Sequence, residues 1–290
     1  MYPTLNLFGK EINTMIVVYS LGGLVAALSF VLKRKQYNFS LKKALLYTVI
    51  LIGAGMIELK IMGEIRNLSM TLISGGEYSP GGSVRIFGAI LFQPILCYIV
   101  SLITGDKFRV LIDSITPETF LYFIFGKISC SLEGCCFGIP YENGVTTVKY
   151  DDLVFPVQIC EAVSTAIVVL LLYLLMVKKD KLRIGSLFPI GTILYSAIRF
   201  YWENYRYYDM VWERDFLLGM TYWQVWCVVS IVVSVLWLIV LYTKNDDSES
   251  SIEKKEKALV PRLEAYAINK KERNRVHHTA KDKKRNKKKK

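Results

Sequence analysis

Val157-Gln158-Ile159-Cys160-Glu161-Ala162-Val163-Ser164-Thr165-Ala166-Ile167-Val168-Val169-Leu170-Leu171-Leu172-Tyr173-Leu174-Leu175-Met176-Val177 decides the class of fold. It carries one charged side chain, Glu161, and no helix-breaking Gly or Pro. A helix rises about 1.5 Å per residue, so this stretch covers the roughly 30 Å of a bilayer's hydrocarbon layer. Backbone polar groups at that depth must be paired internally, which makes the stretch a helix. Comparable blocks recur along the chain. Seven spans are predicted: Met15–Leu32, Ala44–Met62, Val84–Thr104, Thr119–Leu132, Val157–Val177, Ser186–Glu203 and Trp223–Thr243. The fourth is the shortest, with Pro117 interrupting its start. The fold expected is therefore all-α, a polytopic membrane protein of about seven transmembrane helices. Composition agrees, with 52% hydrophobic residues and a mean hydropathy of +0.32.

The charges between the blocks set the orientation. Lys33, Arg34, Lys35, Lys42 and Lys43 follow the first span, and Lys178, Lys179, Lys181 and Arg183 follow the fifth. The segment after the seventh holds 17 Lys or Arg against 8 Asp or Glu, most of the net charge of +12. Seven spans put every basic cluster on one side, as the positive-inside rule requires. The N-terminus is then outside and the C-terminus inside. Two parts are expected: residues 1–243 as the membrane domain, and 244–290 as a basic, largely disordered cytoplasmic tail with a short helix around Leu259–Ile268. Such a tail contacts anionic membrane lipids, and no specific nucleic acid is expected as a partner. Its His277 and His278 read as solvated. The segments Glu64–Pro80 and Glu142–Asp152 read as outer loops. Six cysteines, mostly at membrane depth, argue against a secreted disulfide framework. Met1-Tyr2-Pro3-Thr4 does not open a cleavable signal peptide, so the first span is expected to stay as an anchor.

Ionisable residues inside the spans cost roughly 2.5–3.5 kcal/mol each on insertion scales, and they persist where they line a polar cavity or pair together. The spacing of Tyr195, Arg199, Glu203 and Arg206 places them on one helical face. That stripe reads either as a salt-bridge ladder docking helices or as a cationic face for an anionic headgroup, with Glu203 orienting an arginine. Arginine suits the second reading because its planar fork grips phosphate through two parallel hydrogen bonds. A second group is Gly126-Lys127-Ile128-Ser129-Cys130-Ser131-Leu132-Glu133-Gly134-Cys135-Cys136-Phe137-Gly138, a cation among glycines that permit close backbone approach. No metal is expected: the cysteine spacing fits no standard zinc pattern, and adjacent thiols on a helix point apart. Glu161, three residues after Gln158, reads as either a helix-start capping residue or part of the polar site.

These residues resemble the prolipoprotein diacylglyceryl transferase family. Gly126, Ile128, Gly134 and Gly138 stand in the register of its Gly-Arg-Ile-Gly-Asn-Phe signature and closing glycine, and Gly134-Cys135-Cys136-Phe137-Gly138 is similar to a variant in that family's relatives. Phe155-Pro156-Val157-Gln158-Ile159-Cys160-Glu161 resembles its Pro-Thr-Gln-Leu-Tyr-Glu motif. Gly191 through Tyr195, Arg199-Phe200, Glu203 and Arg206 resemble its Tyr-Gly-Leu-Phe-Arg-Phe…Glu…Arg helix, and Thr221-Tyr222-Trp223-Gln224 its last-helix opening. The departures are Arg85-Ile86-Phe87-Gly88-Ala89 where the family has His-Gly-Gly, Lys127 for the signature Arg, and Cys130 for the signature Asn. The resemblance implies an enzyme of the bacterial plasma membrane that needs no cofactor. It implies transfer of a diacylglyceryl group from phosphatidylglycerol to the lipobox cysteine of a prolipoprotein signal peptide. Arg199, Tyr195 and Glu203 would be catalytic, with Tyr195 or Glu203 as base. Lys127, Arg206, Glu161, Gln158, Gly134 and Gly138 would bind substrate. The alternatives are a non-catalytic lipid- or lipoprotein-binding protein of the same fold and, ranked lowest, a transporter.

Overall fold

A computed structural model describes residues 4–7, 10–75, 77–78, 80, 85–147, 150–177, 182–208 and 211–243. A short hairpin, β1 (Thr4–Leu7) with β2 (Lys10–Asn13), leads into α1 (Thr14–Lys33). After a 3-10 turn over Arg34–Tyr37 come α2 (Leu41–Ser74), α3 (Phe87–Thr104) and α4 (Phe108–Glu133). A second antiparallel hairpin, β3 (Pro140–Thr147) with β4 (Tyr150–Val154), precedes α5 (Val157–Val177). Then follow α6 (Leu187–Glu203), the single turn α7 (Val211–Arg214) and α8 (Tyr222–Thr243). One compact unit runs from Met1 to Leu241, and a second holds Tyr242–Lys290. The expectations for the tail, including the helix at 259–268, fall outside the described residues.

Five helical stretches are long and apolar enough to cross a membrane: Thr14–Tyr37, Leu41–Ile73, Phe87–Thr104, Val157–Val177 and Tyr222–Thr243. The chain is a multi-pass membrane protein. Its large apolar side chains stand outward at helical spacing, as in Leu21, Leu24, Leu28 and Leu32 on α1 and Val163, Ile167, Leu170 and Leu174 on α5. Contiguous exposed apolar stripes of this kind need a lipid neighbour. Of the remaining two long helices, α4 carries five charged residues and α6, at 17 residues, is slightly shorter than the others. α4 packs against α1, α3, α5 and α6, so neighbouring protein covers its polar residues.

Two local expectations need correction. α4 is not interrupted by Pro117: it starts at Phe108 and runs through the proline. Proline removes one backbone donor, orphaning the carbonyl four residues earlier. Here that carbonyl is Asp113 O, and Tyr37 Oη donates to it at 3.5 Å. α2 does not end at Met62. Ser69 and Thr71 hydroxyls donate to Ile65 O and Asn67 O, and the helix stops at Gly75 in the left-handed region, φ 69°. Most of the supposed loop Glu64–Pro80 is therefore helix. The connection expected over Glu142–Asp152 is an ordered one, in which β3 pairs with β4. At the start of α8, Thr221 and Gln224 cap each other reciprocally: Gln224 N donates to Thr221 Oγ1 at 3.1 Å, and Thr221 N to Gln224 Oε1 at 2.9 Å. That capping box fixes where the last helix begins.

Candidate functional site

The charged residues of three helices meet at one end of the bundle, where α4 and α6 finish and α5 begins. Glu161 lies one turn into α5 and is 2% exposed. Its Oε2 is 2.5 Å from Lys127 Nζ on α4 and accepts from Arg206 Nη2 at 2.6 Å. Its Oε1 accepts from Arg199 Nη1 on α6. Arg199 also reaches one turn along its own helix, Nη2 standing 2.8 Å from Glu203 Oε2. Tyr208 Oη donates to Glu203 Oε1, and Thr221 Oγ1 stands 3.5 Å from the same oxygen. Lys127, Arg199 and Arg206 are thus three buried cations held by two buried carboxylates.

That imbalance is the chemical content of the site. Uncompensated buried charge is expensive, so a net positive cluster favours an incoming anion. Two buried guanidinium nitrogens, Arg85 Nε and Arg206 Nε, make no hydrogen bond among the described residues, and the second stands 3.5 Å from Glu203 Oε2 as an ion pair. Arg85 lies just ahead of α3, its guanidinium 5.6 Å over the Trp223 ring, within electrostatic reach of Arg206.

Backbone stitching holds the cluster together. Residues 137–139 run between two other segments: Gly138 N donates to Phe155 O at 3.2 Å, Ile139 N to Tyr205 O at 3.0 Å, and Tyr207 N to Phe137 O at 3.2 Å. Gly138 is bridged to Arg206. A Cβ there would sit 2.5 Å from Phe155 O and 2.7 Å from Tyr205 O, so only glycine fits. Gly134 caps α4 in the left-handed region, φ 74°, and turns the chain toward this strand-like crossing. Gln158 Nε2 donates to Cys135 O at 2.8 Å, tying the start of α5 to the same turn.

A model of the prolipoprotein diacylglyceryl transferase family matches residues 6–240. The chain belongs to that family. A phosphatidylglycerol–prolipoprotein diacylglyceryl transferase of Dehalococcoides mccartyi (strain CBDB1) is 27% identical over 262 residues, covering 82% of this chain and 98% of that protein. Another from strain ATCC BAA-2266 of that species is 26% identical over 264 residues, 83% of this chain and 99% of its own. A phosphatidylglycerol–prolipoprotein diacylglyceryl transferase 2 of Clostridium perfringens is 25% identical over 210 residues, 69% of this chain and 81% of that protein.

Within this member of the transferase family, the structure gathers Lys127, Glu161, Arg199, Glu203 and Arg206 into direct contact. Gln158, Gly134 and Gly138 shape the turn beside them. Glu161, which the sequence left open between capping and site, is the hub. Tyr195 lies one turn before Arg199 on α6, and its ring packs against Phe120 and Phe123, at centroid distances of 5.5 and 5.2 Å. Sequence reasoning missed Tyr208 and Thr221 on Glu203, because hydroxyl partners leave no periodic signal. It also missed Arg85 as a neighbour of the cluster. The reading of Cys135 and Cys136 as helical neighbours pointing apart is wrong. The helix has ended by Glu133, and the Sγ atoms of Cys130, Cys135 and Cys136 all lie within 4.8 Å of one another.

Proposed function

We propose that this chain moves a diacylglyceryl group from phosphatidylglycerol to the thiol of a lipobox cysteine at a prolipoprotein signal peptide, releasing glycerol phosphate. The observation that carries the reading is the buried cluster of three cations on two carboxylates, with an unbonded guanidinium nitrogen at Arg85 beside it. As the glyceryl C–O bond breaks, negative charge develops on the phosphate. Preorganised cations aimed at that charge stabilise the transition state without reorganisation. Arg199 is assigned the central grip, with Lys127 and Arg206 flanking it. Glu161 and Glu203 are positioning residues that hold the cations in place before substrate arrives. Gly134, Gly138 and Gln158 shape the headgroup's surroundings. Tyr195 is assigned to packing beneath Arg199.

Seven long helices, counting α4 and α6, cross the bacterial plasma membrane. The N-terminus faces outward, and the basic clusters with the tail face the cytoplasm, where anionic lipid attracts them. The site then opens at the outer end of the bundle, where the acceptor peptide arrives.

The test is an assay with the purified full chain, phosphatidylglycerol vesicles and a lipobox peptide. Thioether-linked lipid on the peptide cysteine, absent with a serine peptide, is the result expected. Lipid binding without any transfer would leave the non-catalytic binder as the function.

A further inference from the structure

We propose that Cys130, Cys135 and Cys136 are three thiolate ligands for a thiophilic divalent ion, Zn²⁺ by its chemistry, and that its fourth position receives the acceptor thiol. The second half rests on the transferase reading; the first does not. α4 ends at Glu133, and Gly134 turns left-handed at φ 74°. Cys136 does the same at φ 55°, a conformation costing an L residue of this kind roughly 1–2 kcal/mol. These reversals fold the chain back on the last helical turn, where Cys135 N donates to Cys130 O at 3.1 Å. All three Sγ atoms consequently lie within 4.8 Å of one another, and none is in a disulfide.

Zinc–sulfur bonds of about 2.3 Å place tetrahedral sulfurs roughly 3.8 Å apart, so small side-chain shifts would close this group around an ion. Among the described residues, no fourth His, Asp or Glu joins the group. Structural zinc sites are closed by four protein ligands, whereas three ligands and an open position mark sites that act on a bound molecule. The three cysteines are partly buried and not sealed off.

Cations adjoin the three sulfurs, and nearby positive charge favours the thiolate form that a metal ligand needs. Lys127 is one turn before Cys130 on the same helix, and Gly138, two residues after Cys136, is bridged to Arg206. The arrangement also supplies what the cation cluster lacks, a way to generate thiolate. On binding the metal, the acceptor thiol loses its S–H proton to water. Its thiolate attacks the glyceryl carbon, the S–C bond forms and the C–O bond breaks. Glycerol phosphate leaves with the electron pair, with no change in oxidation state.

The experiment uses the full chain purified under reducing conditions, loaded with Zn²⁺ or Co²⁺ and desalted. Elemental analysis should find about one ion per chain. Cys135→Ser and Cys136→Ser should each lower retention tenfold or more, since losing even an outer partner of a ligand costs about 10–100-fold in affinity. Cys160→Ser should retain the ion. In the Co²⁺ form, a lipobox cysteine peptide should change the visible spectrum and its serine counterpart should not. Equal retention by the Cys135→Ser/Cys136→Ser double variant overturns the site. If those variants do not fold, the wild-type Co²⁺ spectrum with the two peptides decides: no tetrahedral thiolate bands overturns the site, and no response to the cysteine peptide overturns the open position. A chain that transfers lipid equally well with and without metal keeps the transferase reading and overturns the open-position role. A chain that binds metal and the peptide thiol yet moves no lipid keeps the site and overturns the transferase reading.

Discussion

At the end of the bundle that holds Lys33, Lys33 faces Glu118 and Lys43 faces Asp106. Asp113 accepts from the backbone N–H groups of Gly185 and Leu187 at 2.6 and 3.0 Å, fastening the entry to α6. At the Glu161 end, three cations share two carboxylates, and the neighbouring Arg85 Nε makes no hydrogen bond among the described residues. Matched pairs hold helices in register and leave no net charge to offset. A mismatched cluster is complete only with an added anion. The lesson is that the ratio of charges, rather than their number or depth, separates a fastening from a binding site in this molecule.

The sharpest way to break that comparison is to unbalance the cluster further. Glu161→Ala leaves three cations on one carboxylate and Lys127 without its partner, and removing one member of a buried ionic set costs about 3–5 kcal/mol. Thermal melting of the purified protein should show this as a marked loss of stability, partly restored by phosphatidylglycerol in the micelle. Arg199→Ala should leave the fold standing and lower the transfer rate about 10²–10³-fold, the usual effect of deleting one preorganised donor. Arg199→Lys keeps the charge and loses the fork, so its rate should fall between the two.

At the other end the expected pattern reverses. Lys33→Met should cost about 1–3 kcal/mol by leaving Glu118 under-satisfied, while the transfer rate of the folded fraction stays unchanged. A rate loss as large as that of Arg199→Ala would erase the distinction between the ends. The smallest effect belongs to Asp106. Burial pushes its carboxyl up, but hydrogen bonds from Lys43 and Tyr47 outweigh this and hold it below its ordinary value. Its contribution is therefore complete above the ordinary carboxylate range and fades as pH falls through the lowered value. Asp106→Asn should cost no more than about 1 kcal/mol, as for other exposed pairs, and should flatten that part of a melting-temperature profile against pH.

Much of this architecture is legible in the chain because lipid imposes a simple rule on helices. α1, α5 and α8 lie within a residue or two of the apolar blocks that announce them. Legibility fails where protein replaces lipid as the neighbour. The start of α4 was hidden by Pro117, because a tyrosine from the turn after α1 takes the orphaned carbonyl. The end of α2 was hidden by Glu64, Arg66 and Asn67, which read as loop residues. Arg66 Nε bonds Glu213 Oε1 of α7 at 2.7 Å, a partner 147 residues away. The same contrast holds at the site. Arg199 and Glu203 are readable from a four-residue spacing, whereas the convergence of Cys130, Cys135 and Cys136 depends on two left-handed residues, one of them not glycine.

The length of α2 has a consequence at the membrane. Its 34 residues make a rod of about 51 Å. Even at a tilt of 40°, the steep end for such helices, it covers about 39 Å along the membrane normal, against roughly 30 Å of hydrocarbon. About 9 Å of the rod therefore exceeds the oily layer, and polar residues near its two ends, Lys42 and Lys43 at one and Arg66 with its partner Glu213 toward the other, can be accommodated beyond the hydrocarbon.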